Sequence, residues 1–175
     1  MTLVLLIGFI FIVLLFLSRN KYKHLIGSNN SLVVRLSTLT WFQNPWLSGM
    51  FLFLVNAIFF GLTLVILYGI SMLTIPFVHL IIMAGAVIVS IYAWLIIHNA
   101  WNGSKKKRLI SSFLGSSFYL ILTIVFLYWI VTLEPQFPGD DTFMAFIGLV
   151  MGIFVTTVAF ITCLYITGFM RKRAL

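Results

Sequence analysis

The sequence predicts an all-α, polytopic membrane protein with five transmembrane helices, the N-terminus outside and the C-terminus inside. Three observations carry this prediction. Of 175 residues, 62% are hydrophobic and only 8% are charged, against about a quarter charged in an ordinary soluble domain, and the mean hydropathy is +1.18. The apolar residues fall into five blocks, about 2–17, 46–70, 76–98, 109–133 and 142–169, close to the roughly 20 residues a helix needs to cross hydrocarbon. Threading the chain five times through a bilayer also puts all 11 Lys and Arg on one side and the three acids, Glu134, Asp140 and Asp141, on the other. An even number of spans breaks that separation, and basic loops mark the inner side.

The composition excludes a soluble globule, a disordered tail and a fibre, and the chain reads as a single membrane domain, 1–175. Its net charge of +8 sits in short runs between apolar blocks, which points to membrane topology and lipid contact and away from nucleic acid. Each block is read as a helix because an open strand in lipid leaves its backbone groups unpaired. Abundant Phe, 18 residues, beside scarce Ala points to an AT-rich genome such as a mitochondrial one.

The first block, 2–17, is followed and not preceded by basic residues (Arg19, Lys21, Lys23), the reverse of a cleavable secretory signal. It reads as a retained helix, and with Gly8 as its one small residue it looks peripheral. Residues 19–45 form an inner-side loop in which Leu32, Leu36 and Leu39 can line one face of a short interfacial helix, a plain loop being the alternative. Pro45 and Pro76 sit at helix starts, where a missing N–H costs nothing. Trp41, Trp46, Trp101 and Trp129 lie near block ends, where an amphipathic ring prefers the interface.

In the second block Asn56 demands a polar partner, from another helix or from buried water. The third holds His79 toward its outer end and His98 at its inner end, with Ser90 and Tyr92 between. His79 reads as an interfacial residue, with a proton relay as the alternative. Lys105, Lys106, Lys107 and Arg108 precede the fourth block, and Arg171, Lys172 and Arg173 follow the fifth. The acids share their turn with Pro135, Pro138 and Gly139. Small residues recur every four positions at Ala57 and Gly61, Ala86 and Ser90, Ser112 and Ser116, and Gly148, Gly152 and Thr156, the spacing that lets helix backbones approach in lipid. Packing is expected at Ala57, Gly61, Gly148, Gly152 and Thr156. No Asp, Glu, Lys or Arg lies inside a block, and Cys163 is the single cysteine, which excludes an intrachain disulfide and a cysteine-based zinc site. No catalytic residues, metal site or cofactor site is expected in this chain.

Three stretches resemble subunit 6 of mitochondrial NADH:ubiquinone oxidoreductase (respiratory complex I), equivalent to the bacterial subunit J. They are Asn44-Pro45-Trp46-Leu47-Ser48-Gly49-Met50-Phe51, continuing to Gly61-Leu62; Ala84-Gly85-Ala86-Val87-Ile88-Val89; and the run from Val158 to Thr167. Order, spacing and the five-span count agree with that family. The resemblance implies a core membrane subunit that binds no NADH, FMN, iron–sulfur cluster or ubiquinone itself, although the parent complex does. Its partners are the other core membrane subunits, so it is not a free monomer, and its site is the mitochondrial inner membrane, with a bacterial cytoplasmic membrane as the alternative. The third helix of the family can hold a π-bulge whose formation and loss rearranges a water path. That makes Met83, Ala84, Gly85, Ala86 and Val87 the switch candidates, with His79, Ser90, Tyr92 and Asn56 as polar contacts to water. The chain departs from the family at Met83, where Tyr is usual, at Ser71–Thr74, where an acid is often found, in its longer 19–45 segment and in a few extra residues between spans 2 and 3; a gating role survives these departures better than direct proton carriage. The competing expectations are a non-catalytic accessory or assembly subunit of another membrane complex, and a small homo-oligomeric transporter.

Overall fold

The computed structural model describes residues 30–72, 78–135 and 141–170, and every regular element among them is helical. A short helix α1 (Ser31–Thr38) and a 3₁₀ turn (Thr40–Gln43) lead into α2 (Pro45–Ser71), α3 (Val78–Ala100), α4 (Lys105–Val131) and α5 (Phe143–Leu164), which closes in a π-helical turn (Tyr165–Phe169). Four helices, α2 to α5 with its turn, are long and apolar enough to cross a membrane. The block 2–17 with Gly8, the basic residues Arg19, Lys21 and Lys23, Pro76, Pro138 to Asp140 and the run Arg171–Arg173 lie outside the described residues.

Local chemistry sets the helix starts. The Asn44 side chain accepts from the Trp46 N–H, and Pro45 occupies the first helical position of α2, where proline is pre-organised and no N–H is needed. Asn30 caps α1 by accepting from the Leu32 N–H, and Asp141 accepts from the Phe143 N–H at the start of α5. Inside the spans, hydroxyls are hidden against the preceding turn: Thr63 donates to the Phe59 carbonyl, Thr123 to that of Tyr119 and Thr156 to that of Gly152. These local bonds let polar side chains sit in apolar helices without a distant partner.

Helix α4 is central. It packs against α2 on one side and α5 on the other, while α3 leans on α2 and on the π turn and α1 lies along α3. Connectivity places Arg108 and the lysines at one end of the bundle, the basic end, and Glu134 and Asp141 at the other, the acidic end. Burial concentrates toward the basic end, where Phe42, Leu52, Trp94, Ala100, Trp101 and Cys163 form the core.

Two glycines set the α2–α4 distance. A Cβ on Gly49 would meet Leu114 at 2.9 Å and the Ser111 carbonyl at 3.0 Å, and one on Gly115 would overlap Leu52. On the α5 side, Gly152 lies under the Phe126 ring and Gly168 against Ser112 and Leu109. Of the expected packing positions, Gly152 and Thr156 therefore meet α4 and Ala57 is half-buried, whereas a Cβ on Gly61 or Gly148 meets nothing within 4 Å.

Other expectations change at the basic end. Trp101 and His98 are buried, at 3% and 2% exposure: Phe42, from the segment before α2, packs edge-on against Trp101, and His98 lies against the π turn at Thr167. Trp46 and Trp129 do remain exposed. Within 19–45 the helix forms, but its inward residue is Val33, with Leu36 beside it, while Leu32 and Leu39 stay exposed. The Asn30 side-chain amide donates to the Tyr92 hydroxyl at 3.0 Å, and that of Gln43 donates to the Ala100 carbonyl at 3.3 Å. So α1 stands alongside the last two turns of α3.

Gly115→Ala forces α2 and α4 apart and is expected to lower stability by about 1–3 kcal/mol, the range for overpacking. Gly61→Ala and Gly148→Ala should leave it unchanged. Unfolding titrations in mixed micelles measure all three.

Candidate functional site

Polar side chains repeat along one face of α4, at Arg108, Ser111 and Ser112, Ser116, Tyr119 and Thr123, every three or four residues and hence one above another. Successive levels meet the end of α5, then α2, α3 and α5 again, so the face works as a polar seam through the bundle.

At the basic end Arg108 is buried, at 8% exposure. Its Nε donates to the Gly168 carbonyl at 3.0 Å and its Nη2 to that of Met170 at 3.1 Å. The π turn causes this geometry. A backbone bond from the Met170 N–H to the Tyr165 carbonyl closes the turn, and the last carbonyls of a helix lack intrahelical donors. A cation there also complements the negative end of the α5 dipole. His98 Nδ1 lies 3.4 Å from the Thr167 carbonyl, and the Thr167 hydroxyl donates to that of Cys163 at 2.6 Å.

One turn further in, the Ser111 hydroxyl donates to Ser48 Oγ of α2 at 3.1 Å, and Ser112 returns its proton to the Arg108 carbonyl. A cavity of about 10 Å³ lies among Ser48, Leu52, Arg108, Ser111, Ser112 and Thr167. That is room for about one water among polar partners.

Asn56 forms the centre of the seam. It is fully buried, its amide oxygen accepts from Trp94 Nε1–H of α3 at 2.8 Å, and its Nδ2 donates to the Gly115 carbonyl of α4 at 3.0 Å. The same Nδ2 lies 3.7 Å from Cys163 Sγ of α5. One side chain thus joins all four long helices, and the partner it demanded is supplied by neighbouring helices. Above it, Trp94 packs edge-on against Tyr119, and the Thr123 and Thr156 hydroxyls meet at 2.8 Å.

The other polar candidates lie elsewhere. His79 is exposed, Ser90 is half-buried and Tyr92 is bonded to Asn30; none of the three is among the partners of Asn56. Met83, Ala84 and Val87 are exposed, Gly85 and Ala86 half-buried. A Cβ on Gly85 meets nothing within 4 Å. Helix α3 is α-helical from Val78 to Ala100, and the π turn lies instead at the end of α5.

Residues that sequence reasoning left out include Ser48, Trp94, Ser111 and the capping role of Arg108. The spacing of Arg108, Ser112, Ser116, Tyr119 and Thr123 was a readable signal for the seam. The seam offers neutral hydroxyls, one amide and one guanidinium, which suits tying helices together and ordering water. Among the described residues no group of three or more His, Cys, Asp or Glu is placed to hold a metal ion.

Asn56→Leu strips the Trp94 indole of its acceptor, and an unmet buried donor costs about 1–3 kcal/mol. The variant should unfold at correspondingly lower denaturant and shift the Trp94 fluorescence, both read against a Trp94→Phe chain.

Comparison with protein-family models, curated proteins and solved structures finds no significant match for this chain.

Proposed function

We propose that the chain is a core membrane subunit of a divergent respiratory complex I, the NADH:ubiquinone oxidoreductase that couples electron transfer to proton translocation. In this reading it crosses the mitochondrial inner membrane five times, N-terminus out and C-terminus in, with the basic end of the bundle on the inner side. It carries no catalytic residue and no cofactor of its own. It packs against neighbouring core subunits, and α3 is its gating element.

One observation supports this most. The last third of α3 is locked into the core through Trp94, His98 and Ala100, while the switch candidates lie on the part that is not. Leu80, Met83 and Val87 are 49%, 45% and 45% exposed and share one edge of the helix by their spacing of three and four. An apolar edge in lipid gains nothing from hydrophobicity alone, so it is free to take a partner helix by packing. Gly85, with open space around it, tolerates a change of helical turn because it has no Cβ.

Purification in mild detergent tests the assembly: the chain should migrate with quinone-reducing NADH dehydrogenase subunits, and migration with any other assembly refutes the reading. Gly85→Leu tests the gate. The space around Gly85 predicts unchanged stability of the isolated chain, lower coupled quinone reduction and proton pumping in the assembled complex, and intact NADH oxidation by artificial acceptors. Unchanged coupled turnover would falsify the gating role.

A further inference from the structure

We infer that α1 stands immersed in the leaflet at the basic end, with Leu32 and Val34 against lipid chains and Arg35 against lipid phosphate. The inference needs only that α2 to α5 cross the bilayer, and it holds whatever assembly the chain serves.

Bonds at both ends of α1 fix its depth. At its start the Asn30 amide donates to the Tyr92 hydroxyl. Just past its end the Gln43 amide donates to the carbonyls of both Ser37 and Ala100, each at 3.3 Å. Ser37 is thus held at the level of Ala100, where α3 ends, and Asn30 at the level of Tyr92. Tyr92 lies eight residues before Ala100, about 12 Å further into the bundle, and α1 is itself 8 residues long. The two helices therefore run side by side, and α1 points along the spans instead of lying across them. Trp41 and Trp46, both exposed at this end, mark the membrane interface. The start of α1 then reaches well into the roughly 15 Å of hydrocarbon that one leaflet supplies.

Composition follows depth. Past Ser31 the inner half reads Leu32-Val33-Val34 and the outer half Arg35-Leu36-Ser37-Thr38. Asn30 lies deep but uses both ends of its amide, because its oxygen also accepts from the Leu32 N–H. The Ser37 and Thr38 hydroxyls donate to the carbonyls of Val34 and Arg35. Polar groups paired within the chain can enter hydrocarbon.

Exposure selects lipid as the occupant. Val33 is buried against the bundle, whereas Leu32 and Val34 are 50% and 46% exposed and Arg35 is exposed beside them. With 3.6 residues per turn these three cover about 160° of the helix, a broader arc than the line of contact one partner helix makes. Arg35 lies about one turn below the outer end of α1, where a long side chain carries its charge up to the headgroups. Among the described residues the acids are Glu134 and Asp141, at the far end of the bundle, so neither competes for it. A guanidinium pairs with phosphate through parallel N–H···O bonds, which makes the headgroup phosphate its counter-charge.

Spin labels on the full chain in phosphatidylcholine–phosphatidylglycerol vesicles test the immersion. Ser31→Cys, Val34→Cys and Thr38→Cys each carry a nitroxide, and collision with oxygen and with an aqueous nickel chelate reads its depth. Cys163 is buried, and a chain without an added cysteine reports its background. Ser31 and Thr38 sit seven residues apart on one side of α1. The label at Ser31 should lie about 10 Å deeper than that at Thr38, with Val34 between and shielded from nickel. Equal depth at Ser31 and Thr38, as for a helix lying flat, or nickel access at Ser31 and Val34 overturns the immersion. The phosphate contact is read by solid-state NMR of guanidinium-labelled arginine, as dephasing by lipid phosphorus. Arg35→Gln should remove part of the dephased signal; a dephased signal of unchanged size overturns the contact.

Discussion

The bundle depends on a buried amide that lipid cannot satisfy. In hydrocarbon an unpaired polar group costs several kcal/mol, so Asn56 fixes the helices around it in one arrangement. Its oxygen takes the Trp94 indole N–H and its nitrogen reaches the Gly115 carbonyl, with Cys163 Sγ close by. Those bonds require α2 and α4 to be in near contact, which Gly49 and Gly115 permit by presenting no Cβ at the crossing. The amide and the glycines act together: without the glycines the amide cannot reach, and without the amide the close approach has weaker specificity. Leu52, fully buried against Gly115, fills the space between them.

A conflict of charge is resolved at the basic end. Four consecutive cations at the start of α4 oppose its own dipole, each at a cost of about 0.3–1 kcal/mol. Arg108 turns part of that conflict into stabilisation by reaching across to the C-terminus of α5. The π turn holds the Gly168 and Met170 carbonyls within range of one guanidinium. Because α4 and α5 run antiparallel, the positive start of one lies beside the negative end of the other. Lys105 to Lys107 remain exposed.

This anchoring divides α3 in two. Its last third is buried among Phe42, Asn56 and the π turn, and its first two thirds are exposed or half-buried. A helix fixed at one end and open at the other suits contact with further helices, and the proposed gate uses one edge of that open part. The buried polar side chains Ser48, Asn56, Ser111 and Ser112 lie on α2 and α4, while Ser90 is half-buried and Tyr92 is bonded to Asn30.

The sequence by itself determined the spanning helices from the second block onward, the separation of charge between the bundle ends, the start of α2 at Asn44-Pro45 and the need of Asn56 for partners. These are properties of chain order, composition and single residues, which need no neighbour to be read. Only the tertiary structure decided which faces meet. Gly152 touches α4 and Gly148 does not, although the two share one stripe. Trp101 and His98 are core residues although they sit at the end of an apolar block, and Val33 is the residue of α1 that is buried against the bundle while Leu32 and Leu39 are exposed. The reason lies in the solvent. In water the buried face of a helix differs from the exposed one in hydrophobicity, whereas in lipid both are apolar. Periodicity then carries no record of the contact side, and packing among helices from distant parts of the chain makes the choice.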